Sequence, residues 1–205
     1  MVIRDELPED GIACFDITQL GYVAWFGFPT YQPRTLVHAG YQGTLGYVVP
    51  TAMGAQVANP DKKVVAVTGD GGFMFNVQEL ATAAQHNIPV VVILMNDGAF
   101  GNVKRNQKED WNEQYLGVDL QNPDFMKLAD AFGIMAVRDA TLFVSSLTLP
   151  CPLSRLLVGI PVGRVLEGPS GVKPFSIQII NIGNVFFDLR PSWASSGSIL
   201  GPVPK

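Results

Sequence analysis

Two uninterrupted apolar runs organise the middle of the chain: Val64-Val65-Ala66-Val67 and Val90-Val91-Val92-Ile93-Leu94-Met95. Short β-branched runs bounded by charge, glycine or turn residues predict strands buried on both faces, here over 63–68 and 90–95. Between them Val77, Leu80, Ala81 and Ala84 recur at helical spacing. A helix is therefore predicted over 76–86, with Asn76 as its N-cap and Asn87-Ile88-Pro89 as its stop. Strand, helix and strand in so short a stretch predict a right-handed βαβ crossover in a parallel sheet.

The flanking pattern is less regular. Leu45 to Val57 is rich in small and apolar residues and predicts a buried helix after a glycine-rich turn, with Pro50 as a candidate kink and Asn59-Pro60 as the stop. Residues 1–40 mix aromatics, glycine and proline (GYVAWFGFPTYQPRT) and predict an irregular lead-in. Downstream, a helix is predicted over 123–132, capped by Asn122, and then a strand over 134–137. The fold class is thus α/β, a parallel sheet flanked by helices. Beyond Arg138 the chain becomes dense in Ser, Pro, Gly and Leu and poor in charge. Residues 1–138 are expected to form the domain, and 139–205 an atypical tail, out of frame or not packed, in which only SIQIINIGNVFF suggests a strand or two.

Composition narrows the function classes. The chain has 205 residues, 47% of them hydrophobic and 16% charged, with a net charge of −4. That suits one sizeable domain and argues against a nucleic-acid binder, which carries a basic face. The cysteines, Cys14 and Cys151, form no CxxC pair, which excludes a thiolate zinc or iron–sulfur site and fits a reducing compartment. The acidic N-terminus does not resemble a signal peptide, and no segment offers about 18 uninterrupted apolar residues. A cytoplasmic location without a membrane partner is expected.

Chemistry is concentrated at the ends of the two predicted strands, where open parallel sheets bind ligands. Gly69, Gly71 and Gly72 remove side chains where a ligand would meet backbone amides, which suits a phosphate or diphosphate. Asp70 among them would repel a bare phosphate, so a bridging cation is implied, and magnesium, with its hard oxygen ligands, is the natural candidate. The second turn, Asn96-Asp97-Gly98, adds a side-chain oxygen from Asp97 or Asn96, and a nearby carbonyl can complete that face of the octahedron.

The stretch GDGGF…QELATAAQHNIPVVVILMNDGAFGN resembles the signature of thiamine-diphosphate-dependent enzymes, which starts with GDG and closes with a double Asn. The upstream GYQGTLGYVVPTAMGA resembles that family's glycine-rich segment, and the nearest likeness is to the acetolactate-synthase-like branch, over roughly residues 11–138. The resemblance implies the family's diphosphate-binding domain, with thiamine diphosphate and Mg2+ as cofactors. It implies that Asp70 is a metal ligand, that the family's metal-binding Asn falls on Asp97 and its first Asn on Asn96, and that Ala99 gives a carbonyl. The choice between Asn96 and Asp97 stays open, since a carboxylate keeps the oxygen but adds charge. By the same resemblance Gly71 and Gly72 donate amides to the diphosphate, with Gly69, Gly101 and Asn102 nearby. Leu45 wedges between the cofactor's two rings, Gly43 offers its carbonyl to the aminopyrimidine beside Thr44, and Thr18 and Gln19 align with a further diphosphate contact.

Relatives activate the cofactor through a glutamate on a separate pyrimidine-binding domain, and the cofactor then attacks a small 2-keto acid with loss of carbon dioxide. That domain normally precedes this one, so it is expected from the same longer protein or from another chain, within a homo-oligomer, and this chain alone is expected to be inactive. No catalytic residue is assigned here. Flavin, used by some relatives, is not indicated. Two rivals are a small subunit of a two-subunit 2-keto-acid decarboxylase and a non-catalytic remnant. A nicotinamide-binding fold is weaker, because GDGG lacks the GxGxxG spacing. His38, His86, Glu79, Arg105, Lys108 and the aromatics Tyr22, Trp25, Phe26 and Phe28 are assigned to structure or surface.

Overall fold

A computed structural model describes residues 2–139 and 176–181. Its elements are α1 (Val2–Glu6), β1 (Ile12–Phe15), α2 (Gln19–Gly27), β2 (Leu36–His38), α3 (Val48–Ala58), β3 (Val64–Gly69), α4 (Asp70–Phe75), α5 (Glu79–His86), β4 (Val91–Asn96), α6 (Gly101–Asp110), α7 (Phe125–Ala131), β5 (Met135–Asp139) and β6 (Ser176–Asn181), with a 3-10 turn at Gly40–Gln42. The strands form one sheet in the order β2-β1-β3-β4-β6-β5, and every pairing is parallel.

Alternation within the apolar runs sorts side chains onto two covered faces. Cys14, Ala66, Val92, Leu94, Ile177 and Ile179 face α3, α5 and α7. Ala13, Phe15, Val65, Val67, Val91 and Ile93 face α1 and α2. Each fully buried Val, Leu or Ile contributes about 1.5–3 kcal/mol, so the continuous apolar run is the price of a strand covered on both sides. The helix after β1 lies on one face, and those after β3 lie on the other. Neighbouring strands whose following helices diverge open a crevice at their carboxyl ends.

Several expectations need correction. Residues 1–40 are not an irregular lead-in, because they supply α1, β1, α2 and β2. The strand IACF is too short to give a period, and α2 is built on small residues rather than an apolar stripe. A Cβ on Gly21 would lie 2.0 Å from the Asp16 carbonyl oxygen, so that helix can pack there only with glycine. It is capped by Thr18, whose Oγ1 accepts the Gly21 N–H at 3.0 Å.

The helix expected from Leu45 begins at Val48, which places Pro50 in its first turn. There the missing N–H costs nothing, so the helix needs no kink. GDGG is not a bare turn: Gly69 caps α4, which starts at Asp70 itself. Asn76 therefore ends α4 instead of starting α5, and its side chain donates to the Gly46 carbonyl at 2.8 Å. Asp124, not Asn122, caps α7, with Oδ1 accepting the Met126 N–H at 3.1 Å.

Ser176–Asn181, within SIQIINIGNVFF, forms β6 between β4 and β5 with Ile177 and Ile179 buried. The rest of the Ser/Pro/Gly/Leu tract lies outside the described residues. Among the described residues, no helix is long and apolar enough to cross a membrane.

Candidate functional site

β1, β3 and β4 end side by side, with Phe15 opposite Val67 and Gly69 opposite Met95. The turns that follow them enclose a cavity of about 350 Å3. Of the residues singled out in the sequence, Thr18, Gln19, Gly43, Leu45, Gly69, Asp70, Gly71, Gly72, Asp97, Ala99, Gly101 and Asn102 all line it. Two do not. Thr44 points to solvent, and Asn96 stands at the end of β4 with Oδ1 accepting the Asn122 Nδ2 at 2.8 Å. Tyr22, assigned to core or interface, also lines the cavity.

Asp70 is 2% exposed, and its carboxylate is fixed by three donors. Oδ1 accepts the Gly71 N–H at 2.9 Å, while Oδ2 accepts the Gly98 N–H at 2.7 Å and Asn122 Nδ2 at 2.6 Å. Gly98 has φ +72°, a conformation costly for any side chain with a Cβ, and this directs its N–H back toward Asp70. The second acidic turn is braced by Val118–Leu120. The Phe100 N–H donates to the Val118 carbonyl and the Leu120 N–H to the Gly98 carbonyl, both at 2.8 Å.

Asp97 follows at the end of β4. Its Oδ1 accepts the Ala99 N–H at 3.3 Å, and a Cβ on Gly101 would lie 2.5 Å from its Oδ2. Burial, and after it the charge of Asp70, push the Asp97 carboxyl up to about 6. Two carboxylates brought together beneath solvent repel one another, and a divalent cation between them reverses that penalty. Asp70 and Asp97 would offer a cation hard oxygen donors, the kind that magnesium takes.

Gly71 and Gly72 have no room for a side chain, because something sits against each. A Cβ on Gly71 would meet Phe100 Cε1 at 2.4 Å, and one on Gly72 would meet Asp16 Oδ2 at 2.5 Å. Phe100 in turn stacks on Phe75, with ring centroids 6.3 Å apart. Thr18 does line the cavity, although its hydroxyl oxygen is committed to capping α2. Asn102 Oδ1 accepts Arg105 Nη2 at 2.8 Å, so Arg105 braces the start of α6. His38 packs its ring against Trp25 and accepts the Gly40 N–H, and His86 is exposed at the end of α5.

Two polar residues escaped the sequence analysis. Asp16 is 1% exposed and directly follows β1, as Asp70 directly follows β3. It accepts the N–H groups of Ile17 (2.8 Å) and Gly46 (3.1 and 3.2 Å) and the Thr68 hydroxyl (2.8 Å). Burial pushes its carboxyl up, and the bonds from Thr68, Ile17 and Gly46 oppose that. An acid ending a strand was the available signal, hidden because β1 itself went unseen. Asn122 is the other. Its position before Pro123 suggested a cap, and nothing local to it pointed to the loops after β3 and β4.

Comparison with known proteins gives the family. Residues 16–147 match the family described as thiamine pyrophosphate enzyme, C-terminal TPP binding domain. The chain is 45% identical over 112 residues to a probable acetolactate synthase large subunit of Methanococcus aeolicus, covering 54% of this chain and 19% of that protein. It is 36% identical over 165 residues to an acetolactate synthase of Arthrospira platensis, covering 72% of this chain and 28% of the relative. A probable 2-ketoarginine decarboxylase of Pseudomonas aeruginosa is 38% identical over 132 residues, covering 64% of this chain and 23% of that protein. The chain thus spans between 19% and 28% of the length of these relatives. The chain belongs to the thiamine pyrophosphate enzymes, and the cavity at the ends of β1, β3 and β4 lies within their C-terminal TPP-binding domain.

Proposed function

We propose that this chain holds Mg2+ and the diphosphate of thiamine diphosphate as part of a 2-keto-acid decarboxylase or carboligase of the acetolactate-synthase type. The observation that carries this is the pair of carboxylates, buried Asp70 and half-buried Asp97, facing one cavity beside the small backbone of Gly71 and Gly72. In this assignment Asp70, Asp97 and the Ala99 carbonyl ligate the cation, and Asn96 holds its turn from behind. The backbone of Gly71 and Gly72 lies against the diphosphate, and Gly101 and Asn102 line the same cavity. Leu45 and Gly43, which line the same cavity, meet the organic rings. When bound, thiamine diphosphate supplies a carbon nucleophile toward 2-keto acids. This chain's part is to hold it, to neutralise the diphosphate charge through the cation, and to exclude water.

None of the described residues lining the cavity is a glutamate. The activating carboxylate therefore comes from a pyrimidine-binding domain, on the same longer protein or on another chain, and residues 1–205 alone turn over no 2-keto acid. Residues 1–138 carry the assigned ligands. Localisation is cytoplasmic, and the working form is a homo-oligomer. Titration calorimetry with thiamine diphosphate and Mg2+ tests the assignment. Heat from the wild type and none from Asp70→Ala is expected. No heat from the wild type favours a non-catalytic remnant, and pyruvate consumption by the isolated chain overturns its inactivity.

A further inference from the structure

Asn122 joins the turns after β3 and β4 from a third loop. Its Nδ2 carries two hydrogens, and both are used, one on Asp70 Oδ2 at 2.6 Å and one on Asn96 Oδ1 at 2.8 Å. A carboxylate offers about four lone-pair directions. On Asp70 two on Oδ2 are taken by Asn122 and Gly98 and one on Oδ1 by Gly71, so both oxygens are oriented by donors. Asp70 lines the cavity and Asn122 does not, so Asn122 stands behind the carboxylate rather than beside a ligand. Asn96 is likewise set back, whereas Asp97 lines the cavity.

Resting on the metal–diphosphate assignment above, we infer that Asn122 is a positioning residue for the divalent cation. It ties the Asp70 carboxylate to the Asn96 amide, fixes the distance between the two acidic turns, and leaves Asp97 as the second carboxylate ligand. Groups that orient metal ligands from behind govern affinity nearly as strongly as the ligands do. A purely structural role would be to pin the segment leading into α7 against the sheet. The two roles separate experimentally, because pinning affects folding whereas positioning affects the cation held by molecules that are already folded.

The probe is Mn2+ with inorganic pyrophosphate, titrated into the full 205-residue chain and followed by electron paramagnetic resonance of the free ion. Wild type, Asn122→Ala and Asn96→Ala are compared, each with a thermal melt. Folded Asn122→Ala is expected to bind Mn2+ about tenfold more weakly than wild type. Asn96→Ala, which removes only one acceptor of the same link, is expected to weaken binding less. Unchanged Mn2+ affinity in folded Asn122→Ala overturns the inference and leaves the assigned site standing. If Asn122→Ala does not fold, Asn96→Ala decides by the same criterion, weakened binding supporting the inference and unchanged binding overturning it. Failure of the wild type to bind Mn2+ overturns the metal–diphosphate assignment itself, and the inference with it.

Discussion

Gly72→Ala sets two physical effects against each other, and their magnitudes decide the sign. Gly72 lies inside α4, where alanine is normally favoured over glycine by about 0.5–1 kcal/mol. The new methyl, however, would lie 2.5 Å from Asp16 Oδ2 and 3.3 Å from both Asp16 Cγ and the Gly46 nitrogen. Asp16 cannot simply step aside. It is buried, and its carboxylate holds Ile17, Gly46 and Thr68 together. Swinging Oδ2 away surrenders the bond from Thr68, worth about 1.5–3 kcal/mol with a charged acceptor, and one arm of the forked bond from Gly46. After subtracting the helical gain, the net expectation is a loss of about 0.5–2.5 kcal/mol.

Gly54→Ala is the matched control. Gly54 is an exposed position in the middle of α3, and a Cβ there has nothing within 4 Å. It is expected to stabilise by about 0.5–1 kcal/mol. Urea unfolding of both variants, with the slope checked for constancy, measures the difference directly. If the Gly72→Ala midpoint rises alongside that of Gly54→Ala, Asp16 is not pinned and the reasoning about this corner of the site is wrong.

Three further outcomes are expected. Asp97→Asn removes one of two facing carboxylates, so the metal-free protein should melt higher while its Mg2+ affinity falls; a higher affinity would contradict the role given to Asp97. Tyr47→Phe loses the hydroxyl that donates to the Phe15 carbonyl at 2.5 Å and should cost about 0.5–1.5 kcal/mol in urea unfolding. Cys14 is fully buried, and burial pushes its thiol from 9.0 up to about 12. With Cys151 replaced by serine, the native chain should resist thiol reagents at pH 8 and react once denatured. Because the folded value lies above the unfolded one, stability should fall as pH climbs from 9.0 toward about 12, and Cys14→Ala should lessen that fall.

What was legible in the sequence followed from uninterrupted local patterns. β3 and β4 announced themselves because each is an apolar run long enough to be covered on both faces. The two acidic turns at the cavity were legible because GDGG and NDG are unusual immediately after such runs. β1 was missed because four residues give no period, and α2 because its packing depends on glycine and alanine rather than on a stripe of large side chains. Asp16 was lost with β1. Asn122 was assigned to the nearest helix because a cap is a local role, whereas its partners lie at Asp70 and Asn96. Sequence spacing cannot reveal a hydrogen bond whose other end is set by the sheet. Helix starts were misplaced at α3, α5 and α7 for a related reason, since each cap is decided by backbone geometry that periodicity does not encode.

The place of β6 has a consequence for assembly order. Residues 135–139 precede 176–181 in the chain, yet among the described residues β5 reaches the sheet only through β6, and Met95 of β4 pairs with Ile180. A nascent or truncated chain ending before Ser176 therefore presents β4 as an open border: a row of unsatisfied N–H and C=O groups beside Val91–Asn96. Such a border is a template for strands of other molecules. The last described strand thus acts as a seal, and until it is in place self-association competes with folding.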